Sequence, residues 1–262
     1  MTLKLPPHED FLDFAEKLAD VSRIMLLAAA KVTPELSIKS DNSYVTTADK
    51  AVELKLREMI GEAFPTHGIL GEEFDNINVD SEFVWVLDPI DGTAPFIAGI
   101  PVYGTLIALA CNGKPFIGVM DHPATSERWT GVAGKFAKLN GNPVSVKSCE
   151  GLNTAFVTCS NPDFMTKAEQ VSFAEIRKVV PYVQYGGSCY AYGVLASGRT
   201  DIAIDSGLES FDVFASAAVI QGAGGYLTDW SGNEIDLQTS GQFIAAGDKN
   251  CLNAAIRILT LK

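Results

Sequence analysis

Histidine is scarce in this 262-residue chain: His8, His67 and His122 are the only ones, and they stand far apart. That argues against a zinc site, which needs clustered imidazoles or thiolates. Thiolates do not fill the gap, because Cys111, Cys149, Cys159, Cys189 and Cys251 form no Cys-x-x-Cys pair and are odd in number. Free thiols in a reducing compartment are expected. Positive charge is also short, with 20 lysines and arginines against 32 acids and a net charge of -12. A surface of that sign repels nucleic acid and anionic lipid, so neither is expected as a partner. No apolar run has the length of a membrane span, and the opening MTLKLPPHEDF lacks the apolar centre of a secretory signal. Cytoplasm is the expected compartment. Repeats, low-complexity tracts and flexible linkers are missing as well.

What the chain does have is material for a layered fold. Hydrophobic residues make up 47% of it, enough for one large domain or two intimately packed ones. Over residues 9–31, Phe11, Phe14, Ala15, Leu18, Val21, Met25 and Ala28 recur at helical spacing. Residues 34–45 read as irregular. Thr46 or Thr47 then caps a second helix through Val52, Leu56 and Ile60, which Pro65 ends. A short apolar strand over 84–87 runs straight into acids. Asn112-Gly113 and Asn140-Gly141 each mark a hairpin. Residues 1–145 therefore read as helices on an antiparallel sheet. Residues 146–262 alternate instead, with strands near 154–158, 201–205, 226–228 and 243–246. Helices fall near 164–179, from Ser188, from Asp212 and over 250–261. Such alternation favours a layered α/β half. The pattern changes near residue 145, but no Pro/Gly/Ser-rich joint marks a true boundary between the two halves.

The acids are the feature out of place. Residues 84–93 read Val-Trp-Val-Leu-Asp-Pro-Ile-Asp-Gly-Thr, so an apolar strand delivers Asp88 and Asp91 at its end. Pro89 stiffens the turn and biases Asp88 towards extended geometry, while Gly92 lets the backbone approach a ligand. Two carboxylates with the Ile90 carbonyl between them are what a hard cation such as Mg²⁺ requires. The amides of Gly92 and Thr93 lie beside the same space. Other acids have plain explanations when taken singly: Glu72 and Glu73 as solvated loop carboxylates, Asp212 as an N-cap, Asp49 as a first-turn acid.

Together they resemble the inositol monophosphatase superfamily of magnesium-dependent, lithium-sensitive phosphatases. The matching features run in order as Lys39-Ser40-Asp41, Thr47-Ala48-Asp49, Gly71-Glu72-Glu73 and Asp88-Pro89-Ile90-Asp91-Gly92-Thr93. Asp212 with Ala215 and the glycines at 222–225 completes the set. The resemblance implies an α-β-α-β-α layered sandwich and a homodimer. It implies two or three Mg²⁺ ions, with Mn²⁺ able to substitute and Ca²⁺ and Li⁺ inhibitory. By position, Glu72, Asp88 and the Ile90 carbonyl would hold one ion, Asp88, Asp91 and Asp212 a second, and Asp49 with Glu72 a weaker third. Glu72, assisted by Thr93 and Asp49, would activate water. The Gly92 and Thr93 amides, with Lys39, would hold the phosphate. Paired cations would also let so acidic a chain accept an anionic ester.

Within that superfamily, several stretches look most like the histidinol-phosphate phosphatases. They are residues 96–107, Asp121-His122-Pro123 with Glu127-Arg128-Trp129, residues 185–192 and Asp205-Ser206-Gly207-Leu208. L-histidinol phosphate, of histidine biosynthesis, is the expected ester, contacted by Gly187, Ser188, Asp205, Glu209 and Asp212. Asp205 and Glu209 would suit its ammonium, although Glu209 also fits a plain surface acid. Tyr190 and Tyr192 fit either an imidazole wall or helix packing. Inositol 1-phosphate is the runner-up substrate. A non-catalytic cation-binding protein is the alternative from another class, disfavoured because binding alone needs no water-activating Glu72, Thr93 and Asp49.

Overall fold

The computed structural model describes residues 7–32, 36–38 and 44–260. The first half runs α1 (Glu9–Ala29), β1 (Leu36–Ile38), β2 (Tyr44–Thr46), α2 (Thr47–Ala63), β3 (Gly68–Gly71), β4 (Phe83–Asp91) and α3 (Thr93–Ala98). It continues through β5 (Gly104–Cys111), β6 (Lys114–His122), β7 (Glu127–Val132), β8 (Phe136–Leu139) and β9 (Asn142–Val144). The second half runs β10 (Phe156–Cys159), α4 (Lys167–Val179), β11 (Tyr182–Tyr185), α5 (Ser188–Ala196) and β12 (Ile202–Leu208). It ends with α6 (Ser210–Gly222), β13 (Tyr226–Asp229), β14 (Gly241–Ala246) and α7 (Lys249–Leu259).

The central strands are apolar at nearly every position because both of their faces are covered. Side chains alternate across a strand, and in β4 Val84 and Val86 enter one core while Trp85 and Leu87 enter another. The Trp85 side receives Leu18 and Leu26 of α1 with Leu56 and Ile60 of α2. The Val84 side receives Val213, Phe214 and Ala217 of α6, together with Leu195 of α5. That same core reaches Ala203 of β12 and Phe243 of β14, so α5 and α6 lie between two sheets. A third core joins Val157, Ile202 and Ile244 to Phe173 of α4 and Leu252 of α7. The layers are therefore α1–α2, a seven-stranded sheet, α5–α6, a five-stranded sheet and α4–α7. This is the α-β-α-β-α sandwich expected from the resemblance.

The seven-stranded sheet has the order β3-β4-β5-β6-β7-β8-β9 and is antiparallel apart from the parallel β3–β4 edge. The five-stranded sheet has the order β11-β10-β12-β14-β13, parallel over its first pairings and antiparallel after β12. Some local expectations need correction. Residues 36–38 and 44–46 pair as an antiparallel ribbon rather than lying irregular. Asp212 does not open α6; Glu209 is the N-cap, and Asp212 sits three residues further on. The short helix α3 and the strands β7 and β11 carry no clear periodicity and went unread. Among the described residues, no helix is long and apolar enough to cross a membrane.

Two glycines let α6 approach its sheet. Gly118 of β6 and Gly131 of β7 are cross-strand neighbours. A Cβ at Gly118 would lie 2.2 Å from the Ala215 carbonyl oxygen, and one at Gly131 would lie 2.6 Å from the Val219 Cα. Both obstacles are backbone and cannot swing aside. Gly118→Ala is therefore expected to lower the unfolding free energy by at least about 1–3 kcal/mol. Gly61→Ala should act in the opposite sense, since Gly61 lies in α2 with open space around it. It should gain about 0.5–1 kcal/mol from helix propensity. Urea denaturation of both variants reads the opposite signs.

Candidate active site

The site grows from the end of β4. Ladder pairing with β5 holds to Asp88 opposite Leu106 and resumes at Asp91 opposite Gly104, with a bulge between. Pro89 has no N–H to give the ladder, so the bulge falls where the sequence can tolerate it. The Pro89 carbonyl instead accepts a bond from the Thr105 hydroxyl at 2.9 Å. That proton is committed, so Ser22 of α1 must be the donor in its 2.5 Å contact with the Thr105 oxygen. The Ile90 side chain is fully buried in the core, which leaves its carbonyl to accept from the Thr93 hydroxyl at 3.0 Å. Gly92 adopts φ 79°, the left-handed turn that starts α3.

The second half meets this bulge directly. The Cys189 amide, in the first turn of α5, donates to Asp91 Oδ2 at 2.9 Å. A Cβ on Gly92 would lie 3.2 Å from the Ser188 hydroxyl, so the two halves nearly touch there. Gly187 is the N-cap of α5, and Ser188 holds φ 44°, an uncommon value for a residue with a side chain. Asp212, in the first turn of α6, accepts from the Glu209 amide at 2.6 Å. Asp49, in the first turn of α2, accepts from the Thr46 amide at 2.8 Å and from the Thr93 hydroxyl at 3.4 Å.

Electrostatics ties these acids into one cluster. Asp88 is only 1% exposed, and among the described residues its Oδ1 has no hydrogen-bond partner. Burial raises its pKa well above the usual carboxylate range, and the charges of Glu72, Asp91, Asp212 and Asp49 raise it further. Asp212 is raised well above that range by burial and then by Asp91, with Glu72 adding to it. Asp91 is raised to about 6 by burial, while bonds from Cys189 and the Gly92 amide pull it back. Among the described residues the acids do not already close into a cage of three or more ligands, and Asp91 and Asp212 accept from helix amides. The chemistry nonetheless fits a hard divalent cation: the donors are oxygens, one is orphaned and buried, and the carboxylates repel each other.

Other expected residues lie elsewhere or are otherwise engaged. Lys39, Ser40 and Asp41 fall outside the described residues. Asp205 is buried, accepting from the Ser160 amide at 2.6 Å and the Tyr192 hydroxyl at 2.8 Å, and burial raises it to about 6. Glu209 is exposed at the start of α6. Arg128 bonds Asp121 at 2.6 Å and Asp20 at 2.8 Å, so it is committed to tying β7 to β6 and α1. Tyr190 donates to Glu127 at 2.6 Å. His122 places Nδ1 3.0 Å from the Tyr103 carbonyl, which can only accept, so Nδ1 carries the proton. Its Nε2 faces the Cys189 sulfur at 3.9 Å. Glu53 and Arg57 of α2 hold the loop that carries Glu72, and sequence reasoning passed over them; their spacing of four residues was the available signal.

A family profile described as the Inositol monophosphatase family matches residues 8–260. The chain is 38% identical over 258 residues to Bifunctional phosphatase IMPL2, chloroplastic, of Arabidopsis thaliana, covering 95% of this chain and 75% of that one. It is 31% identical to Histidinol-phosphatase of Chlorobaculum parvum, with 88% of each covered. It is also 31% identical to Nus factor SuhB of Pasteurella multocida, with 82% of each covered. A solved inositol monophosphatase from Zymomonas mobilis superposes with a TM-score of 0.89 at 34% identity, covering 98% of this chain and 100% of that one.

Two expectations follow from the electrostatics. Asp88→Asn removes a buried charge set among like charges, so the metal-free variant should melt higher than the parent. The parent should gain stability from Mn²⁺, about 2.7 kcal/mol at a hundred times its Kd, and the variant should gain almost none. Thermal melts with and without Mn²⁺ read both effects. The second concerns His122, which burial lowers to about 4. An unfolded imidazole protonates near about 6.5, so between these values the unfolded chain binds the extra proton. The His122 contribution to stability is then whole above that range and lost as pH falls towards 4. The advantage of the parent over His122→Asn should shrink across that fall by up to about 3 kcal/mol, read by urea denaturation.

Proposed function

The chain belongs to the inositol monophosphatase family, and from that premise we propose that it hydrolyses a small phosphate monoester, L-histidinol phosphate, with divalent cations. The observation that carries the phosphatase reading is Asp88, buried with an orphaned oxygen among four other carboxylates that raise its pKa. Divalent cations bound there would neutralise the acids, polarise phosphoryl oxygens and lower the pKa of an attacking water.

The protein's own groups do the remaining work. Thr93 donates its only hydroxyl proton towards the Ile90 carbonyl and Asp49, so its lone pairs are left to accept from a water. Glu72, whose charge is felt at both Asp88 and Asp212, takes up that water's proton. The Thr93 amide at the start of α3 orients a phosphate oxygen, whereas the Gly92 amide is given to Asp91. Positioning and charge neutralisation of this kind are what phosphoryl transfer mainly needs.

The choice of ester is supported by the relatives called histidinol-phosphatase and by one exposed acid. Glu209 stands exposed just before Asp212, where it meets the ammonium of histidinol phosphate. A charge contact at an exposed acid of that type contributes about 0–1 kcal/mol. Asp205 and Tyr192 are buried and bonded to each other, so neither meets the ester directly. Inositol 1-phosphate is the second reading, favoured by the likeness to the Zymomonas mobilis enzyme.

Phosphate release with Mg²⁺ should give L-histidinol phosphate at least a tenfold advantage in kcat/KM over inositol 1-phosphate. The reverse order would move the assignment to inositol phosphate. Asp91→Asn should cut kcat by more than the roughly 100-fold typical of losing an outer-shell partner. Cation binding with no phosphate release from either ester would favour a non-catalytic role, the possibility that the Nus factor relatives raise.

A further inference from the structure

We propose that Glu53 and Arg57 are positioning residues that set Glu72 for cation binding and water activation. The inference rests on the reading of Glu72 as a metal-side carboxylate. Asp49, Glu53 and Arg57 recur every four residues on α2 and so share one face of the helix. Asp49 reaches the site, and the other two grip the loop beside it.

Glu53 is wholly buried, an expensive place for a carboxylate. One of its oxygens accepts from Arg57 Nε at 2.7 Å, and the other accepts from the Glu73 amide at 2.8 Å. Arg57 then donates Nη1 to the Asp75 carbonyl and Nη2 to the Phe74 carbonyl, both at 3.0 Å. On the other side of Glu72, a Cβ at Gly71 would lie 2.2 Å from the Glu53 carboxylate. The backbone is therefore pressed onto Glu53 just before Glu72 and bonded to it just after.

Stability alone accounts poorly for this arrangement. Buried ion pairs are commonly no better than apolar replacements of similar volume, because desolvation offsets their attraction. Their distinctive product is geometry. The planar guanidinium fork satisfies three acceptors at fixed angles, which a lysine could not reproduce. Because the same helix carries Asp49, the clamp places Glu72, Asp49 and Thr93 in one frame.

The test uses the full chain with Arg57→Gln, Arg57→Lys and, as a reference, Glu72→Gln. Free Mn²⁺ is counted by electron paramagnetic resonance, and kcat and KM are taken at saturating Mg²⁺. Amide exchange is followed over residues 71–75. Both Arg57 variants should bind Mn²⁺ about tenfold or more weakly, within the range known for outer-shell partners. Their kcat should fall with little change in KM, and the Glu73 amide should exchange faster. If Arg57→Gln does not fold, Arg57→Lys, which keeps the charge and loses the fork, decides the matter. Parental Mn²⁺ affinity and kcat in a folded Arg57 variant with a lowered melting temperature would overturn the inference. Parental Mn²⁺ affinity in Glu72→Gln would instead overturn the reading of Glu72 itself, a failure independent of Arg57.

Discussion

Negative charge confined around Asp88 is the constraint to which the rest of the molecule answers. A carboxylate taken out of water and set among its own kind resists ionisation, as the raised pKa values of Asp88 and Asp212 express. Only a rigid frame can hold such groups together without a counter-ion. The frame is β4, packed by α1 and α2 on one face and by α6 on the other. Its bulge at Pro89 and Ile90 breaks the ladder between Asp88 and Asp91, where both cores have already fixed the strand.

Helix starts soften the repulsion. Asp49 and Asp212 lie in the first turns of α2 and α6, and Asp91 accepts from the first turn of α5. The N-terminal end of a helix carries partial positive charge and unsatisfied amides. Three such ends therefore face the cluster and support its carboxylates individually, although they cannot neutralise it. A divalent cation would complete the balance with charges that amides cannot supply.

How much was legible in the sequence depended on whether the relevant contacts were local. The string from Asp88 to Thr93 could be read because a strand, a proline, two acids and a glycine are adjacent and each restricts the backbone. The α2 cap at Thr46 was readable for the same reason. The start of α6 was misplaced because Glu209 and Asp212 both suit a helix N-terminus and only their mutual bond separates N-cap from first turn. Glu53 and Arg57 drew no reading, because burial under the Glu72 loop is a tertiary fact. Arg128 shows the same limit, since its partners Asp121 and Asp20 come from another strand and from α1.

The two halves carry different parts of the problem. Asp49, Glu72, Asp88 and Asp91 come from the first, which holds them with α2, the clamped loop and the β4 bulge. The second contributes Asp212 and the α5 amide, with Glu209 exposed at the N-cap of α6. The first set is interlocked: Thr93 joins Asp49 to the Ile90 carbonyl, and Glu53 joins α2 to the Glu72 loop. A change there disturbs every acid through the shared field. Glu209, by contrast, is exposed at the tip of α6. Exchanging its side chain would alter the exposed surface at the start of α6 while leaving the buried carboxylates in place.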